Sequence, residues 1–221
     1  MVRDNPLYSE SRLFSIENPL QYCLLLNISR PLLKITTMNT LIWKGIFYQS
    51  LEYFTIKQEN ENHIAGSKII GCTKDHIYSV QYHLVIDQDW LIQKFIIESE
   101  VNGIYNELKG EKIQGEWKIN GNINPDFKDF KFIDISLTPF TNTLPVNHLK
   151  MSQNDSREIK VIYIDVLNCQ VKPAVQQYTR TASHEYLYEN IQTAFKAGIL
   201  IDDMGLVIHY PGLFEKISEI N

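Results

Sequence analysis

Tyr78, Val80, Tyr82, Leu84 and Ile86 put a large apolar side chain at every second residue, with Ser79, Gln81 and His83 between them. Only an extended strand, whose side chains point alternately to opposite faces, gathers such a set onto one surface. The period continues through Trp90 to Val101, where Phe95 and Ile97 share one parity and Lys94, Ile96 and Glu98 the other. Asn102-Gly103 then supplies the two positive-φ positions of a tight hairpin, and Ile104 to Leu108 is expected to return antiparallel. Trp117 to Ile119, closed by Asn120-Gly121, has the same form. Further β-rich runs are Phe130 to Leu137, Glu158 to Leu167, Val171 to Thr181, Glu185 to Tyr188, Phe195 to Ile201 and Leu206 to Tyr210. Only Tyr188 to Lys196 suggests a helical turn or two. From Leu41 onward the chain is expected to be all-β and mainly antiparallel, a meander of about ten to twelve strands.

The 221 residues suit one domain with an appended arm. Pro6, Pro19 and Pro31 cut residues 1–37 into short pieces without sustained periodicity, so these are expected to be an N-terminal extension. The domain is expected to span 38–221. With 21 basic and 26 acidic residues, a net charge of -5 gives no broad attraction to nucleic acid or to an anionic membrane. The nearest candidate for a membrane span, Leu20 to Ile28, is short and broken by Gln21 and Asn27. Asp4, Glu10 and Glu17 precede it, which does not suit a signal peptide. Stable membrane insertion is not expected, and a cytoplasmic location is. Cys23, Cys72 and Cys169 are too scattered for a disulfide framework and are expected to be reduced, small core residues.

No phosphate loop, GxGxxG or GxSxG element is present. The six histidines, His63, His76, His83, His148, His184 and His209, lack ligand spacing, so no metal site is expected. Asp87/Asp89 and Asp202/Asp203 sit at strand ends, where acidic residues cap their own turns. No catalytic residue and no cofactor is assigned. What remains is aromatic richness, 12 Tyr, 10 Phe and 3 Trp. Alternating aromatics fill a core or line an open groove equally well, and the pattern does not choose between them.

One segment is more specific. Asp134-Ile-Ser-Leu-Thr-Pro-Phe-Thr-Asn-Thr-Leu-Pro-Val-Asn-His-Leu149 resembles the signature of the putative glycolipid-binding family, a bacterial domain of unknown function. Gln177-Tyr178, the Tyr186/Tyr188 pair and the run Asp202 to Phe214 extend the likeness. Trp43, Tyr82 to Trp90 and Glu116 to Gly121 fall upstream in matching order. The resemblance implies a spiral β-roll, an incomplete barrel similar to the lipoprotein localisation factors. It also implies a glycolipid or other amphiphile as ligand. Where the family pattern carries basic residues, Asn147-His148 stand here, and neither replaces a guanidinium fork toward an anionic head group.

Thr138 to Pro145 reads as an ordered loop, with Pro139 and Pro145 restricting φ and Phe140 and Leu144 anchoring it in the core. It is expected to be a rigid plug at one end of the roll or a polar rim for a neutral head group. On the binding reading, Thr138, Thr141, Asn142 and His148 form the rim, and Trp90, Trp117, Phe140, Tyr178 and Tyr210 line the groove. Asn142→Ala would then weaken head-group discrimination and leave stability nearly intact. Two alternatives stand beside this non-catalytic amphiphile carrier. One is an interaction domain with a filled core that meets a partner chain, a homodimer included. The other is an enzyme acting on a small hydrophobic substrate in the same groove.

Overall fold

The computed structural model describes residues 38–220. The expected N-terminal extension, 1–37, lies outside the described residues. Eight strands run in sequence through the first half: β1 (Met38–Gly45), β2 (Ser50–Glu59), β3 (Asn62–Cys72), β4 (Ile77–Asp87), β5 (Ile92–Val101), β6 (Ile104–Ile113), β7 (Glu116–Ile119) and β8 (Asn122–Ile123). A 3-10 turn at Pro125–Phe127 leads to β9 (Phe132–Ile135), a second 3-10 turn at Phe140–Asn142 and the helix α1 (Thr143–Leu149). The second half is β10 (Ser156–Asp165), β11 (Gln170–Ala182), β12 (Glu185–Asn190), β13 (Phe195–Ile201), β14 (Val207–Tyr210) and β15 (Phe214–Ile220).

All strands join one sheet in the order β8-β7-β6-β5-β4-β3-β2-β1-β15-β14-β13-β12-β11-β10-β9. Neighbours are antiparallel except β9 and β10, which are parallel. The first and last strands therefore pair at the centre, and β8 and β9 lie at opposite edges. Laid flat, those edges would be about 65 Å apart at the usual strand spacing. The chain joins them with residues 124–131, which reach about 30 Å at most. The sheet must therefore roll until its edges approach, without hydrogen-bonding to each other. The Trp117 indole N–H donates to the Phe130 carbonyl at 2.9 Å and fastens the connector under the β7 edge. The result is a mostly antiparallel sheet, as alternation indicated, rolled and unclosed as the family resemblance implied.

Residues on the inward parity are buried throughout, as Tyr78, Val80, Tyr82, Leu84 and Ile86 on β4 show. A bulge opposite Val85/Ile86 resets the parity on β5, so that Ile92 and Phe95 both face inward. Asn102-Gly103 takes φ of 52° and 79°, and Asn120-Gly121 takes 46° and 84°, the conformations those dipeptides favour.

The roll is filled by its own chain. From Leu137 to Val146 ten consecutive residues are buried. Phe140 packs on Phe54 with ring centroids 4.5 Å apart, and Phe54 packs on Trp43 at 5.0 Å. The Trp43 indole N–H donates to the Val207 carbonyl at 2.6 Å, continuing the stack to β14. The segment expected as a loop is thus a 3-10 turn running into a helix. Pro145 is tolerated because it occupies the first turn of α1, where its missing N–H has no intrahelical partner to lose.

Other expectations are corrected. Among the described residues there are fifteen strands, several too short for alternation to show, and the polar sequence of β15 does not announce a strand. Tyr188 to Lys196 holds no helix: β12 extends to Asn190 and residues 191–194 form a turn. Cys72 and Cys169 are exposed rather than core residues, because one ends a strand and the other occupies a turn at φ 53°. Among the described residues, no helix is long and apolar enough to cross a membrane.

Gly110 tests the packing of the roll. It faces Phe95 across the β5–β6 pair, and a Cβ there would enter the Phe95 ring, which is fully buried. Gly198 has nothing near its absent side chain. Gly110→Ala is expected to cost about 1–3 kcal/mol in urea unfolding, and Gly198→Ala to leave stability unchanged or slightly raised.

Candidate functional site

Two inward carboxyl groups tie the buried segment to the sheet. Glu52 shares the parity of Phe54 and Ile56 on β2 and is buried. Its Oε1 accepts from the hydroxyls of Ser67 on β3 (2.7 Å), Tyr82 on β4 (2.7 Å) and Thr138 (2.9 Å). Three strands thus grip the point where the chain turns into the roll. Its Oε2 is buried without a partner among the described residues. Burial, the largest influence, outweighs the three hydroxyls and pushes the Glu52 carboxyl up to about 7.

Asp134 lies on β9, just before that turn. Its Oδ1 accepts from the Thr141 hydroxyl (3.0 Å) and its Oδ2 from the Gln176 amide on β11 (2.6 Å). Burial raises its pKa against the effect of both hydrogen bonds. The Tyr178 hydroxyl donates to Asn142 Oδ1 at 2.8 Å, and Asn142 Nδ2 donates to the Pro139 carbonyl at 3.1 Å. The Thr138 hydroxyl oxygen also accepts from the Phe140 N–H at 3.1 Å, fixing the start of the 3-10 turn.

Between this segment and the second-half strands lies an open cavity of about 690 Å³, a size suited to a small organic ligand. Asp134, Ser136, Thr138 and Asn142 form its inner end. Tyr163, Ala174, Tyr188 and Tyr210 form its walls, with Tyr48 and Phe214 beside them. Phe47, 67% exposed, and Phe195, 41% exposed, stand at its mouth with Lys172, Asp165 and Leu213. Strand directions explain the grouping. The turns after β1, β10, β12 and β14 all fall at the end where β9 hands the chain into the roll.

The phenols of the cavity are perturbed together. Burial first, and then the negative charge of Asp134, push Tyr48 up to about 12. Burial again leads in moving Tyr163, Tyr188 and Tyr210 further in the same direction, followed by Asp134 for Tyr188 and by a neighbouring tyrosine and then Asp134 for the other two. Four hydroxyls therefore share the field of one carboxylate, and all stay protonated at physiological pH.

Of the residues singled out in the sequence, Thr138, Asn142 and Tyr210 line the cavity. The threonine and asparagine lie at its inner end rather than on a rim. Tyr178 stands one layer behind and holds Asn142. Thr141 is buried against Asp134. Phe140 and Trp117 are fully buried in the core, away from the cavity wall. Trp90 occupies the β4–β5 turn, stacked on His63 at 4.5 Å. His148 lies at the far end of α1, its Nδ1 2.7 Å from the Asp89 carbonyl and its ring against Phe132. Beside it, the Asn147 amide donates to the Met204 carbonyl at 2.9 Å. The pair that stands in place of basic residues clasps α1 to two turns. Among the described residues, no group of three or more His, Cys, Asp or Glu is placed to hold a metal.

Sequence reasoning passed over Glu52, Asp134, Tyr48 and Tyr163. A signal existed for Glu52, a carboxylate on the parity of Phe54 and Ile56. Tyr48 sits in a turn, where period two says nothing.

Comparison with known proteins agrees with the fold. The family profile described as putative glycolipid-binding matches residues 40–216. A crystal structure of a DUF1089 family protein from Pseudomonas aeruginosa is 32% identical, with a TM-score of 0.68, over 75% of this chain and 92% of that one. A beta-barrel-like protein of domain of unknown function DUF1849 from Brucella abortus gives a TM-score of 0.46 at 8% identity, over 83% of this chain and 95% of that one. No curated protein matches the chain.

Two outcomes follow from the buried groups. Because Glu52 titrates near 7 in the folded state and near 4.5 otherwise, the folded protein holds the extra proton between those values. This contribution is complete below 4.5 and is lost as pH rises through 7, by roughly 3 kcal/mol. Urea unfolding between about pH 5 and pH 8 is expected to show this fall, and Glu52→Gln to flatten it. Asn142→Ala removes an acceptor from the buried Tyr178 hydroxyl and is expected to cost about 1–3 kcal/mol. This replaces the expectation that it would leave stability intact.

Proposed function

The chain belongs to the putative glycolipid-binding family, and from that premise we propose that it binds an amphiphile in the cavity between the buried segment and strands β10–β15, holding the ligand without converting it. The observation that carries the reading is the polarity gradient of the cavity. Its inner end is built from a carboxylate, an amide and hydroxyls, its walls from phenols, and its mouth sets exposed Phe47 and Phe195 beside the polar Lys172, Gln192 and Thr193. A molecule with a hydrogen-bonding head and an apolar tail fits with the head against Asp134, Thr138 and Asn142. Its tail then crosses Phe195 and Phe214 toward Phe47.

This reverses the arrangement expected from the sequence, in which polar residues made the rim. The polar groups come from the segment that folds into the roll, so they face the cavity from inside. Energy allows the arrangement. About ten methylenes at roughly 0.8 kcal/mol each would supply about 8 kcal/mol before the cost of association.

Native mass spectrometry of the purified chain, with solvent extraction of anything retained, tests the reading. A discrete bound amphiphile is expected. Ala174→Phe, which projects a ring into the cavity from β11, is expected to lose it while keeping the unfolding midpoint near that of the wild type. A clean apo mass, with no thermal shift from submicellar octyl glucoside, would contradict the proposal.

A further inference from the structure

The charged groups of the cavity point to the kind of head group it takes. Among the described residues three charged side chains line it: Asp134 at the inner end and Asp165 and Lys172 toward the mouth. Lys172 lies over the Tyr163 ring, its Nζ 5.4 Å from the centroid. Asp165 is engaged with its own turn, accepting from the Asn168 N–H and amide at 3.2 and 3.0 Å. Asp134 has no cation within reach among the described residues. Its two partners, Thr141 and Gln176, are neutral and take one lone pair on each oxygen. One lone pair on each oxygen remains for a ligand.

The phenols around it are unfinished in the same sense. The hydroxyls of Tyr48, Tyr163 and Tyr210 have no hydrogen-bond partner among the described residues. Tyr210 is 4% exposed and still borders the cavity. Each hydroxyl has lone pairs to offer and feels the charge of Asp134. An anionic head group entering here would meet a desolvated carboxylate, because the lining base, Lys172, is drawn over the Tyr163 ring and does not pair with Asp134. A cation would supply the missing counter-charge and find electron-rich rings and phenol oxygens around it.

Resting on the reading of this cavity as an amphiphile site, we infer that its ligand carries an amino or quaternary ammonium group in the head, seated against Asp134 among Tyr48, Tyr163 and Tyr210. A glycolipid bearing an amino sugar and a lipid with an alkylammonium head share this chemistry.

Isothermal titration with four submicellar octyl amphiphiles tests it: octyltrimethylammonium, octylamine, octyl glucoside and octyl sulfate. The ammonium compound is expected to bind about tenfold or more tightly than the glucoside, and the sulfate weakest. Added salt should weaken the first and leave the second unchanged. Asp134→Asn should erase the ammonium preference and retain glucoside binding. The wild-type ranking decides the matter even where that variant fails to fold. Equal affinities, or a preference for the sulfate, would overturn the inference and leave amphiphile binding standing. An amino-sugar glycolipid as ligand would appear as octylamine binding well and octyltrimethylammonium poorly, which keeps the cation and assigns it to a primary amine. Binding by none of the four would overturn both readings.

Discussion

A connection of eight residues, 124–131, joins the two edges of a fifteen-stranded sheet. That short tether decides the shape, because the edges of a flat sheet would lie about twice as far apart as the tether reaches. Rolling the sheet leaves a long interior that alternating side chains alone do not fill. The chain fills it with the segment that follows β9, and the hydrogen bonds of Glu52, Asp134 and Asn142 fix where that segment stops. The cavity is the space left between this internal segment and the second-half strands. Its position follows from the tether and the plug together.

The polar contacts inside the roll are few and concentrated. One oxygen of Glu52 gathers hydroxyls from two strands and from Thr138, and its other oxygen is unpaired. A buried carboxyl in that setting is better held as the neutral acid, and the same burial raises Asp134. The two differ in surroundings. Glu52 is enclosed between strands and plug, so its protonation affects stability. Asp134 borders the cavity, so its charge is presented to whatever enters.

Much of the fold was legible because one physical rule, alternation, governs most of the chain. Tyr78 to Ile86 and the Asn102-Gly103 and Asn120-Gly121 turns adopt the conformations their side chains demand. The rule gave no purchase on Thr138 to Leu149. Its two prolines and run of small polar residues suit a loop in water, and it becomes helical because the roll surrounds it. The family signature marked a segment that borders the cavity and not the direction its side chains face. Thr138 and Asn142 reach the cavity, whereas Thr141 and Phe140 face the core. Trp117 and Trp90, expected to line the groove, serve the connector and a hairpin turn. Tyr48, Tyr163 and Tyr188 converge on one space from the β1–β2 turn and from β10 and β12, a grouping that the order of strands in the sheet brings about.

The central claim is that this tyrosine-walled space receives the ligand. Nuclear magnetic resonance of tyrosine-labelled protein, titrated with submicellar octyl glucoside, tests it most directly. Saturable shifts at Tyr48, Tyr163, Tyr188 and Tyr210 are predicted, with Tyr53 and Tyr105 on the outer face, 48% and 60% exposed, unmoved. Shifts confined to Tyr53 and Tyr105, or no saturable shift in the cavity four, would contradict it.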